Sequence, residues 1–259
     1  MKVIVTGSSG FIAGKVIPFL TSKGHDVLGV DLKAGPLTDH IIEILSDVGK
    51  LDSTYQPDLI INLAAQTDTT QQSNFIDANF YQVVSLRKCF PDVYFVQAST
   101  MLADTEYYQY SDINSIRYGA SKLITEQYFR SDPLFLSVRF PMVYSQEGMN
   151  HYHLKKYKKY CTVFKFLKSD VFMVKKSMLD ASMIAPKILS MVEQRRSGMV
   201  YLCDEFLTST DDLAFAIARK KPSIFRFKIP VFLINALLPL LGEGYRRQLH
   251  NASTEYDFR

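Results

Sequence analysis

Tryptophan is absent from the 259-residue chain, and cysteine is scarce at three residues. Cys89, Cys161 and Cys203 stand far apart, without the spacing of a metal site or the density of a disulfide framework. Their expected setting is a reducing compartment. No apolar run reaches the roughly 20 residues that a membrane-crossing helix needs. The longest, Ile229–Leu241, is broken by Pro230, Asn235 and Pro239. Met1-Lys2 leads at once into Val3-Ile4-Val5, with no apolar leader before it, so the expected location is cytoplasmic. A strong excess of one charge is missing too. Thirty Lys and Arg against 26 Asp and Glu leave +4, which implies no nucleic-acid partner. His151 and His153 have no acidic companions, so no metal is expected.

What is present describes an ordinary globular protein, 47% apolar, with 18 Phe and 15 Tyr to fill its core. The first half alternates strand-length apolar runs with helical patterns. Lys2–Val5, Asp26–Val30, Leu59–Leu63, Val93–Gln97 and Leu134–Arg139 read as strands. Residues 11–23, 74–89 and 118–130 read as helices, and His40–Asp47 is a candidate third strand. This alternation predicts an α/β protein, a Rossmann-type doubly wound parallel sheet. After about Met149 the composition shifts. The expected organisation is a dinucleotide-binding core over 1–148 and a smaller substrate-binding portion over 149–259, some of whose segments return to the core.

Thr6-Gly7-Ser8-Ser9-Gly10-Phe11-Ile12-Ala13-Gly14 follows the first strand and opens a helix. Gly7 and Gly10 permit a tight turn and close approach of backbone to a pyrophosphate, which the helix N-terminus attracts. Asp31 ends the second strand, 24 residues after Gly7, where a carboxylate can accept from a ribose 2′-hydroxyl. That carboxylate repels a 2′-phosphate, so NAD is preferred over NADP; Lys33 partly offsets the repulsion. Asp47-Val48 is a candidate border for the adenine.

Tyr118-Gly119-Ala120-Ser121-Lys122 places Tyr118 and Lys122 one turn apart on a helix. An ammonium beside the phenol is expected to draw its pKa down from about 10 toward neutrality. Tyr118 can then move a proton at a sugar hydroxyl or carbonyl while hydride passes to or from nicotinamide. Ser99-Thr100, at the end of the run from Val93, offers a hydroxyl to the same substrate oxygen.

With these stretches, and with Asn62-Leu63-Ala64-Ala65, Ala98-Ser99-Thr100 and Val138–Tyr144, the chain resembles an extended short-chain dehydrogenase/reductase. More narrowly, it is similar to the NAD-dependent epimerase/dehydratase family that acts on nucleotide sugars. The resemblance covers about residues 1–220 and implies that Tyr118 is the acid/base, Lys122 its activator and Thr100, or Ser99 one register away, the hydroxyl partner. It implies that Asn79 supports the site's geometry. Gly7, Ser9, Gly10, Phe11, Ile12, Leu63, Ala64, Ala65 and Pro141 join Asp31 along the cofactor. Met101-Leu102 stands where sugar-nucleotide dehydratases have an Asp-Glu pair, so dehydration is disfavoured.

Between His151 and Lys176 lie eight lysines against one acid, Asp170. They form either a solvated face or a cationic site for a diphosphate, with Lys155 and Lys176 as candidate ligands. The apolar 225–241 segment, followed by Arg246-Arg247, either covers the core or touches an anionic membrane surface. The second case suits a lipid-diphosphate-linked sugar, while the lysine segment suits a nucleoside-diphosphate sugar. The expected activity is epimerisation at C4 through a transient 4-keto sugar, in polysaccharide biosynthesis. The competing readings are an NAD(P)H-dependent 4-keto sugar reductase and a catalytically silent dinucleotide sensor or scaffold. Helices on the outer face allow a homodimer.

Overall fold

The computed structural model describes residues 1–43, 45–50, 55–69, 74–145, 151–237 and 257. Two compact units emerge: unit 1 is Met1–Pro141 with Ala181–Leu202, and unit 2 is Met142–Asp180 with Cys203–Arg259. The composition shift near Met149 thus lies a few residues past the point where the chain leaves unit 1, and a later stretch of 22 residues returns to it.

In unit 1, β1 (Lys2–Thr6) is followed by α1 (Ala13–Ser22), β2 (Asp26–Asp31), β3 (His40–Ile41) and β4 (Leu59–Asn62). Then come α2 (Gln82–Cys89), β5 (Tyr94–Thr100), α3 (Ile113–Tyr128) and β6 (Phe135–Phe140). Unit 2 contributes β7 (Met142–Tyr144), α4 (His151–Val163), β8 (Leu167–Lys168), α5 (Asp170–Met173), β9 (Lys175–Lys176) and β10 (Met178–Asp180). The chain returns to unit 1 for α6 (Ile184–Glu193) and β11 (Gly198–Tyr201). It ends in unit 2 with β12 (Thr208–Ser209), α7 (Thr210–Ala218), β13 (Phe227–Lys228) and α8 (Val231–Leu237).

The seven strands of unit 1 form one parallel sheet in the order β11-β6-β5-β4-β1-β2-β3. Order reverses beside β1, the switch point where doubly wound sheets open a crevice at their C-terminal edge. Every residue of β4, β5 and β6 is buried, as expected for central parallel strands covered on both faces. Phenylalanine fills the place tryptophan leaves vacant. Phe135 stacks on Phe95 and Phe129 at centroid distances of 5.1 and 4.3 Å, in a core shared with Ile4, Ile60 and Leu86.

Two expectations need correction. The run His40–Asp47 gives only a two-residue strand, after which Leu45–Lys50 winds as a 3₁₀ helix that buries Leu45 and Val48. Its apolar residues serve a helical face, not a pleat. The helix around Tyr118 begins five residues earlier than expected, at Ile113. Asp112 caps it by accepting from Asn114 N and Ser115 N at 3.0 and 3.2 Å.

Unit 2 has no comparable sheet among its described residues, only two-stranded pairs. Its core gathers Tyr157, Cys161, Met178, Leu213, Phe215 and Ile217 around α4 and α7. Arg226 closes it with two bonds to the buried Asp211 carboxylate at 2.7 and 2.8 Å, and Tyr160 donates to the same group at 2.7 Å. Among the described residues no helix is long and apolar enough to cross a membrane.

Candidate active site

The Gly-rich turn leaves β1 through Gly7, whose φ of +72° only glycine adopts without strain. A side chain there would also lie 2.8 Å from Ala64 N, so the turn needs glycine twice over. Gly10 N closes the turn on Gly7 O at 2.9 Å. Ser9, Phe11 and Ile12 line its exit into α1, which is capped at Ile12 without a side-chain bond. Asp31, at the end of β2, reaches back to accept from Ser9 N at 2.9 Å. Burial would raise its pKa, but hydrogen bonds from Ser9 and from the Lys33 and Leu32 backbone outweigh that and hold the carboxyl below its ordinary value. A charged carboxylate therefore stands beside the turn. Leu63, Ala64 and Ala65 follow β4 along the same edge, with Leu63 N bonded to Thr6 O at 3.2 Å. Pro141 is buried at the end of β6. Asp47 lies on the 3₁₀ helix, and Val48 packs in the core with Ile4 and Leu86.

A buried polar chain joins the strand ends. Thr6 Oγ1 donates to Asn62 Oδ1, Asn62 Nδ2 to Gln97 Oε1 at 2.6 Å, and Gln97 Nε2 to Ala98 O at 2.8 Å. Lys122 Nζ donates to the same Ala98 carbonyl at 3.0 Å. The lysine is 2% exposed, and burial pulls its pKa down to about 7 against the upward pull of Glu126. Tyr118 is half-buried on the same helix, with its ring 5.9 Å from that of Phe75. Burial pushes its phenol up to about 12, while hydrogen bonding with Thr100 works the other way.

The expected lowering of Tyr118 by Lys122 is therefore reversed here. Desolvation is the largest cause for both groups and favours the neutral form of each.

The strand pleat separates the two candidate hydroxyls. Thr100 is turned toward Tyr118, its Oγ1 also accepting from Leu102 N at 3.3 Å. Ser99 points the other way and donates to Glu126 Oε1 at 2.6 Å. Gly119 allows α3 to come this near, because a Cβ there would sit 2.0 Å from Leu102 O.

Asn79 is fully buried in a π-helical turn, Asp77–Tyr81, and acts as a splint. Its side chain bonds Gln66 N and O at 2.9 and 3.0 Å and Ser121 Oγ at 3.0 Å, tying the loop after β4 to α3. Its carbonyl accepts from Thr125 Oγ1 at 2.7 Å.

Several supporting residues were absent from the sequence reading. Arg139 meets Glu126 through its Nε at 3.0 Å and its Nη2 at 2.6 Å, and Tyr201 bridges Arg139 to Asp104 at 2.7 and 2.6 Å. The available signal was the i+4 spacing from Lys122 to Glu126 on one helix face. An open groove of about 580 Å³ lies along α3, lined by Phe75, Arg117, Ala120 and Ile124, and contains none of Tyr118, Lys122 or Thr100. Of the residues expected at the substrate, Lys176 is buried on β9 of unit 2, with its pKa lowered to about 8 by burial. Lys155 falls on α4, and its side chain lies outside the described residues.

The fold is similar to solved structures of two activities. One is dTDP-4-dehydrorhamnose reductase from Clostridium acetobutylicum, with a TM-score of 0.67 and 20% identity over 89% of this chain and 83% of that one. Another is UDP-N-acetylglucosamine 4-epimerase from Bacillus cereus, with a TM-score of 0.66 and 20% identity over 100% and 92%. The Bordetella bronchiseptica enzyme WbmH, solved in complex with NAD+, has a TM-score of 0.65 and 18% identity over 88% and 85%. At these identities the likeness is one of fold. Protein CapI of Staphylococcus aureus is 28% identical over 112 residues, and the match spans about a third of that protein (34%) and of this chain (34%). The model of the NAD dependent epimerase/dehydratase family matches residues 3–160, which bear the Gly-rich turn, Asp31, Thr100, Tyr118 and Lys122, and the chain belongs to that family.

Proposed function

We propose that the protein is an NAD-dependent nucleotide-sugar epimerase acting at C4. The observation that carries this reading is the charged Asp31 beside a glycine-only turn, on the same sheet edge as Thr100, Tyr118 and Lys122. The turn and the N-terminus of α1 hold the pyrophosphate, and Asp31 binds the ribose hydroxyls and repels a 2′-phosphate. When bound, NAD supplies a reversible hydride acceptor and, oxidised, a positive charge that favours the phenolate.

Tyr118 removes the proton from the C4 hydroxyl and returns it after the 4-keto sugar has turned. Thr100 holds the same oxygen, and Lys122, anchored on Ala98 O, lowers the cost of the phenolate. Glu126, Arg139 and Asn79 fix these groups in place. Met101-Leu102 offers no group that moves a proton, which speaks against dehydration. We assign the diphosphate of the substrate, on a nucleoside or on a lipid, to Lys155 and Lys176. The setting is the cytoplasm. A homodimer formed through the outer face of α2 and α3 would cover Tyr81, Ile124 and Tyr128, which are 58%, 44% and 59% exposed.

A second reading rests on Tyr118 itself. A phenol held protonated by burial suits delivery of a proton to a ketone, which is the task of a 4-keto sugar reductase. Turnover decides between the two. Interconversion of C4 epimers without net change in cofactor absorbance supports the epimerase; consumption of one NAD(P)H per keto sugar overturns it. NAD released on denaturation, near one per chain, is expected from the first reading. If Tyr118→Phe leaves every measured activity unchanged, the protein is a silent binder and both readings fail.

A further inference from the structure

Unit 2 displays large apolar side chains where a soluble domain hides them. Ile224, Phe225 and Phe227 are 94%, 83% and 77% exposed, Phe166, bonded through its carbonyl to Phe227 N, is 54% exposed, and Phe232, five residues further along the chain, is 68% exposed. Large apolar side chains exposed together over so short a stretch mark an interaction site.

The segment that carries them is firmly held. Ser223 N donates to Lys165 O at 2.9 Å, Phe227 N to Phe166 O at 2.8 Å and Ile229 N to Lys168 O at 2.8 Å, so the 223–229 backbone is tied to 165–168, with Phe227–Lys228 paired to Leu167–Lys168. Arg226 turns inward, where it pairs with Asp211 and donates to Leu167 O, while its neighbours Phe225 and Phe227 are exposed. The aromatic residues are thus presented by an ordered scaffold.

The rim is cationic. Lys165, Lys168, Lys220, Lys221 and Lys228 are all exposed around this strand pair, and the one exposed acid on it, Asp170, is spent on Lys228 at 2.7 Å. Lys165 Nζ lies 5.2 Å from the Phe166 ring centre. Unit 2 as a whole holds sixteen Lys and Arg against ten Asp and Glu, a net +6, whereas unit 1 is −2. The cores of protein–protein interfaces are depleted in lysine. Exposed Phe and Ile within a ring of lysines instead match the boundary between acyl chains and acidic headgroups, where apolar side chains insert and ammonium groups meet phosphate.

We propose that the β8–β13 pair and the start of α8 form a docking surface for an anionic lipid membrane. Phe225 and Phe227 enter the headgroup region, and Lys220, Lys221, Lys165 and Lys168 supply the attraction. The protein is then peripheral, held by one face.

The test is co-sedimentation of the full chain with vesicles of phosphatidylcholine alone or mixed with phosphatidylglycerol. Binding to the mixed vesicles at low salt is expected to exceed binding to phosphatidylcholine by at least about tenfold and to fall as salt is added. Phe225→Ser combined with Phe227→Ser should abolish binding while leaving NAD binding unchanged, since these side chains are already solvent-exposed. Lys220→Glu with Lys221→Glu should remove the preference for phosphatidylglycerol by about tenfold or more and so tests the charge arm separately. Failure to bind mixed vesicles, or equal binding to both kinds, overturns the proposal. So does a dimer in solution that the serine pair converts to monomer, which would make the patch a contact between copies. None of these results depends on which sugar the site takes.

Discussion

Unit 1 turns its charges inward and unit 2 turns its apolar residues outward. In unit 1 Glu126, Arg139 and Lys122 are all less than one-tenth exposed, yet each is bonded, and the net charge of the unit is −2. In unit 2 lie all the described large apolar residues that are more than two-thirds exposed: Phe206, Ile224, Phe225, Phe227 and Phe232. A saturated parallel sheet lets unit 1 carry ionisable groups in its interior, because neighbouring strand ends supply partners for every one of them. Unit 2, built of two-stranded pairs and short helices, has less interior to offer. What it cannot bury, it presents.

That contrast breaks if the two halves respond alike to substitution. The largest expected effect is catalytic and confined to unit 1: Tyr118→Phe should lower kcat by about 10²–10⁴-fold with NAD affinity retained. Next come the two buried ion pairs, one in each unit. Glu126→Gln leaves Arg139 with Tyr201 and the Asp104 carboxylate at 3.6 Å, and Arg226→Ala leaves Asp211 with Tyr160, each at a cost of up to about 3–5 kcal/mol. If the units are energetically separate, denaturant melts of Arg226→Ala will show early loss of unit 2 while NAD binding persists. A single coincident transition would show instead that they fold as one.

A smaller effect concerns pH. Lys122 titrates near 7 in the fold and near 10.5 unfolded, so below pH 7 both states are protonated and the penalty for burying its charge is full. As pH rises from 7 toward 10.5 the folded lysine is neutral while the unfolded one still binds a proton, and stability rises. Relative to Lys122→Met, the wild-type protein should therefore gain about 2 kcal/mol between pH 7 and pH 9 in urea titrations. The smallest effect separates Gly14, in the first turn of α1, from Gly7 of the turn that precedes it. Gly14→Ala, with open space around it, should stabilise by about 0.5–1 kcal/mol, whereas Gly7→Ala should destabilise and abolish NAD binding.

Much of unit 1 was legible because its signals are local. The apolar runs became strands within one to three residues at each end, since central parallel strands must be apolar throughout. The Gly7 turn and the Tyr118–Lys122 spacing depend only on neighbours in sequence. The start of α3 was missed, although Asp112 ahead of Asn114 and Ser115 is a capping signal, because Ile113 and Ile116 alone make a weak apolar stripe. The π-helical turn at Asn79 has no local cause in sequence; it is held by Thr125 and Ser121, more than forty residues away. The sign of the Tyr118 shift was misjudged for a related reason. Spacing on a helix places two side chains together but says nothing about how much water surrounds them. In unit 2 the basic composition was plain, yet which lysines are buried, as Lys176 is, depends on the pairing of β9 with β12.

The return of Ala181–Leu202 to unit 1 has a consequence for how the protein is made. β11 pairs with β6 at the edge of the seven-stranded sheet, but between them the ribosome must synthesise the first half of unit 2. Until Tyr201 emerges, β6 is an open edge lined with apolar residues, the kind of surface that recruits stray strands. Nascent chains stalled before residue 198 should therefore need chaperone protection that chains stalled after residue 201 do not, even though nearly the whole candidate catalytic set has been translated by residue 141.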